Sequence, residues 1–435
     1  MRKLTTPQRL AITANSGMIA TALLTGGLGA EVFQLMALGV LDMRPAAVGL
    51  ALLSQVLCVP VQLYAASASL YTPNRVLLRR GHLGLCAVVL ALLAAPAVAS
   101  ANRQLGLVVV VVAVLVGACS MSYGWATGWQ SWMQSLTTPE DRGRVLGIMR
   151  FTTQSVGVLF LLLAASLAMP RLSAGRFAVL AALILGYLVM ALLLQRRLPD
   201  PSEQTRSSQT RSARRLASFA ALWAAIGRLG AVPPLRRLAP TVVLVNLLGT
   251  PLVLTYLVVV VEMPVAVVGV LLAVRQVLAV ASVLLWGRLL SSRSGVSVIK
   301  SGLTAYALVT GLWLIIQPGT GDRPWVMATA GAVLVATGVL FNGISLAVLT
   351  EAHGQIPESE SGVAFSLLSL VESTSMYLLL GLAGVLVGAV GRFSIPGADG
   401  WFDPYRGFLV LTAVLAVACA QRLLPARAAA PAVTG

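Results

Sequence analysis

Twelve runs of about twenty mostly apolar residues divide this chain, and they leave it almost no way to fold in water. They fall near 13–38, 46–68, 83–100, 105–130, 146–168, 176–195, 240–261, 265–287, 298–317, 325–349, 363–391 and 406–424. A bilayer's hydrocarbon core takes about 20 residues of helix to cross. Inside it every backbone polar group must bond within its own segment, which favours helices for runs of this length. The rest of the composition agrees. The chain is 58% hydrophobic and 10% charged, with a mean hydropathy of +0.89, against roughly 45–50% and 25% in soluble domains. Too little polar side chain is present to coat a globule. The sequence reads as an all-α integral membrane protein of twelve transmembrane helices.

The formal charge of +17 would suit nucleic acid if the arginines were clustered on one face. They sit instead in short segments between apolar runs, which is how membrane orientation is encoded. With the N-terminus inside, the inner segments hold 22 Lys and Arg and the outer loops seven: Arg44, Arg103, Arg171, Arg176, Arg323, Arg392 and Arg406. Without the long central segment the contrast is still 13 to 7. Both termini are therefore expected in the cytoplasm. Arginine outnumbers lysine 29 to 2 in an Ala/Leu/Val-rich chain, which points to a bacterial inner membrane. The start, Met1-Arg2-Lys3 and an apolar run from Leu10, mimics a secretory signal, but the run is too long and is read as a retained first helix. Cys58, Cys86, Cys119 and Cys419 lie in apolar stretches and read as reduced thiols. His82 and His353 are the only histidines. Both are expected in loops, and no metal-ligand spacing or cofactor motif surrounds them.

The segment 197–238 is the clear break. From Pro199 to Ser212 it reads as a flexible linker. Beyond that, Leu216, Phe219, Trp223 and Ile226 share one helical face, as in an amphipathic helix lying on the inner leaflet. It separates an N-terminal half, 1–196, from a C-terminal half, 239–424, and a disordered tail is expected from 425 to 435. The halves echo each other at an offset of 218 residues. Arg75 meets Arg293, Gly84 meets Gly302, Pro139-Glu140 meets Pro357-Glu358, Val145 meets Val363, and Ser155 meets Ser373. Two pseudo-symmetric six-helix halves are a known transporter plan, with the site between them near midplane.

On these residues the chain resembles the major facilitator superfamily over nearly its whole length. The family marks its loop between helices 2 and 3 with Gly-x-x-x-Asp-Arg-x-Gly-x-Arg. Here Leu70, Asn74, Arg75, Leu77 and Arg79 stand at those positions, so both glycines are missing and Asn replaces Asp. The C-terminal echo keeps Gly287, Arg293 and Gly295, with Ser292 where Asp is usual. Pro139-Glu140-Asp141-Arg142-Gly143-Arg144 is similar to the family's turn between helices 4 and 5. The glycine- and proline-rich helix 5 signature of proton-coupled drug antiporters is absent from Arg150 to Ala168, which has only Gly157. The resemblance implies the twelve-helix fold of that family, normally working as a monomer, with helices 1, 4, 7 and 10 lining a cavity.

Charges at mid-depth cost at least about 2.5–3.5 kcal/mol to insert, so they are functional candidates. Glu31, Arg275 and Glu372 each fall about 15 Å deep at 1.5 Å per residue. Two acids and one base at one depth fit a proton-coupled substrate site. Arg275 pairing with Glu372 as a structural lock is the alternative. Gln34 lies one turn from Glu31. Tyr123, Asn246, Tyr256 and Asn342 are cavity-lining candidates. Trp125, Trp129 and Trp132 run at i, i+4 and i+7, as an interfacial aromatic belt or as a stacking wall for a cationic substrate. Arg75, Arg79, Glu140, Asp141, Arg142 and Arg293 are candidate inner-gate contacts, or mark topology alone. Arg150 could join either gate or cavity.

No nucleophile–base constellation or phosphate-cradling loop is present, so an enzyme is not expected. The partners expected are a small molecule, protons and the bilayer, with the proton gradient as energy source and no cofactor. The leading function is proton-coupled export of a small lipophilic or cationic compound, such as a drug, antibiotic or secondary metabolite. Proton-coupled uptake of a nutrient is the runner-up. A lipid flippase or accessory protein on a transporter scaffold is the third.

Overall fold

The computed structural model describes residues 4–25, 40–43, 51–69, 72–138, 141–168, 172–200, 240–244, 261–317, 319–356, 363–372 and 404–422, with a few isolated positions besides. Helix is present in all twelve apolar stretches. The first, α1, comes as Thr6–Asn15 and Met18–Thr25. Then follow α2 (Ala51–Ser69), α3 (Asn74–Ala101), α4 (Arg103–Ser135), α5 (Arg142–Ala168) and α6 (Ala174–Gln195). A short piece at 240–244 is α7. The rest are α8 (Val265–Ser292), α9 (Gly295–Ile315), α10 (Pro324–Gln355), α11 (Val363–Glu372) and α12 (Pro404–Arg422). Eight of these are long and apolar enough to cross a membrane.

Local sequence explains the breaks. Pro73 fixes the start of α3, and Asn102 ends α3 while its side chain accepts from the Gln104 and Leu105 amides to cap α4. Ser173 and Ser294 cap α6 and α9 in the same way. The helices run further than apolarity alone suggests. α3 begins at Asn74 rather than near 83, and α10 continues to Gln355 rather than stopping near 349. These added turns carry arginines and other polar groups while the backbone stays helical. Both histidines are thereby corrected from loop to helix. His82 and His353 are buried, each with Nδ1 near the carbonyl four residues back, Leu78 at 3.0 Å and Leu349 at 2.8 Å.

The chain forms two compact units: Met1–Val232 with Ile356–Gly388, and Pro233–Gln355 with Ala389–Gly435. The eleventh span belongs to the first unit. The core of unit 1 joins Leu85, Val88, Val89 and Leu92 of α3 to Val110, Ala113 and Val114 of α4 and to Phe177, Leu180, Ile184 and Leu188 of α6. Between α3 and α4 the backbones nearly touch. A methyl on Gly81 would lie 2.6 Å from Gly124 Cα and 2.7 Å from the Ser120 carbonyl. In unit 2, α10 packs against α8 and α9, and α9 against α12. Large apolar side chains such as Leu83, Leu90, Val108, Val112, Leu285 and Val414 are exposed, as lipid-facing stripes require.

Candidate functional site

The polar groups of unit 1 gather on the facing sides of α1, α4, α5 and α11. α5 turns Thr153 and Gly157 towards α1, and Arg150 shares their helical face at i, i+3 and i+7. A methyl on Gly157 would lie 2.5 Å from Ile19, and Thr153 exchanges 3.4 Å hydrogen bonds with Asn15. Asn15 is buried and its Oδ1 accepts from Trp125 Nε1 at 2.8 Å. One asparagine thus ties the first helix to the fourth and fifth.

Arg150 stands eight residues into α5, about 12 Å along the helix. Glu372 of α11 lies near enough to interact with it electrostatically. Arg150 is half-buried and Glu372 exposed. Glu372 therefore has a cationic neighbour on α5, which apolar-run counting from Pro264 did not suggest. The signal available in the sequence was Arg150's own depth in helix 5. Arg275 belongs to unit 2, where its side chain packs over Gly338 of α10, 2.8 Å from where a methyl would stand, and near Tyr306.

Towards the arginine-rich end, α4 is joined to α11 and to the residues that lead into it by a ladder of uncharged bonds. Thr127 and Ser366 hydroxyls are 2.6 Å apart, Ser131 and Ser361 hydroxyls are 2.6 Å apart, and Gln134 Nε2 donates to the Ile356 carbonyl at 2.7 Å. Residues 127, 131 and 134 recur at i, i+4 and i+7, one stripe of a helix. All four hydroxyls are buried. The α4 backbone has a π-helical segment at Ser122–Trp129 that contains the first rung, Thr127, a distortion often found at functional positions.

The tryptophans settle differently from either sequence alternative. Trp129 and Trp132 are 1% and 0% exposed and meet edge-to-face at 6.4 Å, so they serve neither as a lipid-facing belt nor as an open stacking wall. Trp132 Nε1 donates to the Pro199 carbonyl at 2.7 Å. Next to it, Asp200 is buried and accepts from the Arg75 amide at 2.8 Å, at the start of α3. Pro199 and Asp200, expected at the head of a flexible linker, are instead fastened to the inner ends of α3 and α4. Asp200 puts a carboxylate at a helix N-terminus, which favours negative charge, in the very turn where Asn74 replaces the family's Asp.

The remaining inner-gate candidates scatter. Asp141 accepts from Gln8 Nε2 at 2.9 Å and from the Thr138 amide at 2.8 Å, and Arg142 Nε donates to Thr137 Oγ1 at 3.3 Å. Arg79 and Arg293 are exposed. Tyr123 accepts from Arg80 at 3.2 Å and stacks on Tyr64. Asn342 is buried in α10. Glu31, Gln34, Asn246, Tyr256 and Glu140 lie outside the described residues, as do the amphipathic segment and the tail. Among the described residues no three His, Cys, Asp or Glu side chains converge as a metal site would require.

Helix in all twelve apolar stretches, eight of them long and apolar enough to cross a membrane, defines an all-α polytopic membrane protein. Solved structures identify the fold. The chain matches a bacterial homologue of the iron transporter ferroportin in an outward-facing state, with 15% identity, a TM-score of 0.72, and 97% of this chain and 98% of that one covered. It matches the proton:xylose symporter XylE at 12% identity and TM-score 0.65, covering 95% and 94%. The human organic anion transporter MFSD10 matches at 15% and 0.63, covering 95% and 98%. The chain has the major facilitator fold. No protein-family profile matches its sequence, and no curated protein matches it significantly.

Proposed function

We propose that the chain is a secondary transporter working by alternating access in a bacterial inner membrane, as a monomer with both termini cytoplasmic. In this reading it exports a small lipophilic or cationic compound in exchange for protons. The observation that supports the reading is the electrostatic proximity of Arg150 and Glu372, beside a polar seam in an otherwise apolar body. An acid held near a cation at that depth can exchange the pairing for a proton or for a charged ligand. Glu31 is proposed to share the site by sequence depth. Uptake by proton symport is the second reading, favoured by the likeness in fold to a proton:xylose symporter.

The test is transport in proteoliposomes under an imposed pH gradient, with ethidium as the cationic probe beside a panel of neutral metabolites. Proton-coupled export predicts probe movement against the proton flux, collapse on adding an uncoupler, and loss of pH dependence in Glu372→Gln. Movement indifferent to the uncoupler sinks the coupling. Co-movement of a metabolite with protons favours uptake.

A further inference from the structure

Three side chains meet at the arginine-rich end of unit 1 without a part in the polar seam: Tyr64 of α2, Arg80 of α3 and Tyr123 of α4. Arg80 Nη1 donates to the Tyr123 hydroxyl at 3.2 Å, and the two tyrosine rings stack with centroids 6.2 Å apart and planes 18° apart. The cluster lies at the exposed surface of unit 1. Arg79 and Arg80 are exposed and begin a stripe that continues through exposed Leu83, Ala87 and Leu90. Tyr64, 55% exposed, ends a matching stripe of Leu53, Leu57 and Pro60 on α2. Both stripes recur at helical spacing and carry no charge above these ends, as surfaces facing hydrocarbon do.

Depth then decides what the ends meet. α3 is 28 residues long, about 42 Å, which exceeds a hydrocarbon core of about 30 Å. Its first turns therefore stand in the headgroup layer. Arg80, six residues in and about 9 Å from the start, sits where phosphates meet acyl chains. Tyrosine is at home at the same level. A guanidinium offers five donors in a planar fork. The Tyr123 bond occupies one of them and orients the plane, which prepares the rest for a bidentate oxyanion.

We propose that Arg80, with Arg79, Tyr64 and Tyr123 around it, binds the phosphodiester of an anionic phospholipid in the leaflet that the arginine-rich ends face. A substrate in transit is the wrong occupant, because the cluster opens on the lipid-facing stripes and shares no residue with the Arg150–Glu372 pair or the α4–α11 ladder. A lipid phosphate is delivered at this depth by the membrane itself, and basic pockets between helices on this side recognise such headgroups.

The experiment uses the full-length protein, delipidated in neutral detergent and examined by native mass spectrometry. Phosphatidylglycerol or phosphatidylcholine of identical acyl chains is added. The wild type should retain phosphatidylglycerol preferentially, and Arg80→Ala should lower that retention about fivefold, the factor expected for one arginine near a charged surface. Tyr123→Phe, which keeps the ring but frees the guanidinium, should lower it about twofold. Arg288→Ala, an exposed arginine near the inner end of α8, should leave it unchanged. Lipid-free melting of Arg80→Ala at the wild-type temperature establishes that the variant is folded, and its lost lipid-induced rise supports the site. Equal retention of the two lipids, or an Arg80→Ala variant that binds like wild type, overturns the proposal. So does competition by millimolar inorganic phosphate as strong as by the lipid, which would make this a site for a free anion. None of these outcomes bears on the transport reading.

Discussion

The α4–α11 ladder is the contact whose removal should be read most directly as a change of state. Thr127→Val, Ser131→Ala, Ser361→Ala and Ser366→Ala together delete both hydroxyl pairs and keep the side-chain volumes near the originals. The two hydroxyl distances are 2.6 Å, inside the normal range for O–H···O bonds. Interhelical bonds in membrane proteins average about 0.6 kcal/mol, because a freed hydroxyl finds a carbonyl on its own helix. Adding Gln134→Leu removes the third rung, for about 1.8 kcal/mol in all. That is a factor of about twenty in the ratio of ladder-closed to ladder-open molecules. The assay is electron–electron resonance in nanodiscs between spin labels at Thr138 and Leu368, after replacing Cys58, Cys86, Cys119 and Cys419. Thr138 is exposed and Leu368 is half-buried on α11, so both labels report within one compact unit. The variant should gain a longer-distance population that the parent lacks. If the distance distribution stays put while the melting temperature falls by the equivalent amount, the ladder is static packing and the gating argument fails.

Three further outcomes are expected. Arg150→Glu and Glu372→Arg should each lower the melting temperature, and the double exchange should recover at least half the combined loss, a coupling of about 1 kcal/mol; losses that simply add refute the pairing. Asp200→Ala should cost about 1 kcal/mol in chemical or thermal denaturation through loss of the α3 cap, with Asp200→Asn costing less because an acceptor remains; equal stability of all three removes the linker's anchoring role. Gly81→Ala sets a methyl 2.6 Å from backbone atoms of α4, so overpacking of about 1–3 kcal/mol should outweigh a helix-propensity gain of about 1 kcal/mol; a rise in melting temperature would show slack between the helices.

The spans were legible because a bilayer demands a simple thing of sequence, a run of apolar residues of fixed length. Their inner ends were not, because Arg75, Arg79 and His82 interrupt the apolar signal without interrupting the helix. The site was legible only as depth. Counting residues from helix ends placed Glu372 near midplane, yet gave no bearing around the helix axis, so it named Arg275 as the partner to consider and passed over Arg150 in the same unit. Thr127, Ser131, Ser361 and Ser366 are ordinary mid-helix hydroxyls one at a time. Only the juxtaposition of two helices far apart in sequence makes them a ladder. Asp200 was hidden by its neighbours, since a Ser/Thr/Arg-rich stretch reads as linker whatever its first residues touch.

The two contacts of α11 divide the work by chemistry. The ladder is neutral, so its strength depends on helix separation and hardly on protonation. The Arg150–Glu372 pair is charged, so a proton or a charged ligand changes it at once. Six residues separate Ser366 from Glu372, about 9 Å of one continuous helix. A helical segment that short does not bend appreciably between its ends, so a shift that relaxes the charge pair displaces the hydroxyls as well. Bonds that lose their strength over a few tenths of an ångström convert a small displacement into loss of contact. A charged reader and a neutral latch on the same rigid segment would couple occupancy at mid-depth to opening at the arginine-rich end, with no charged group in the latch itself to be stranded when it parts.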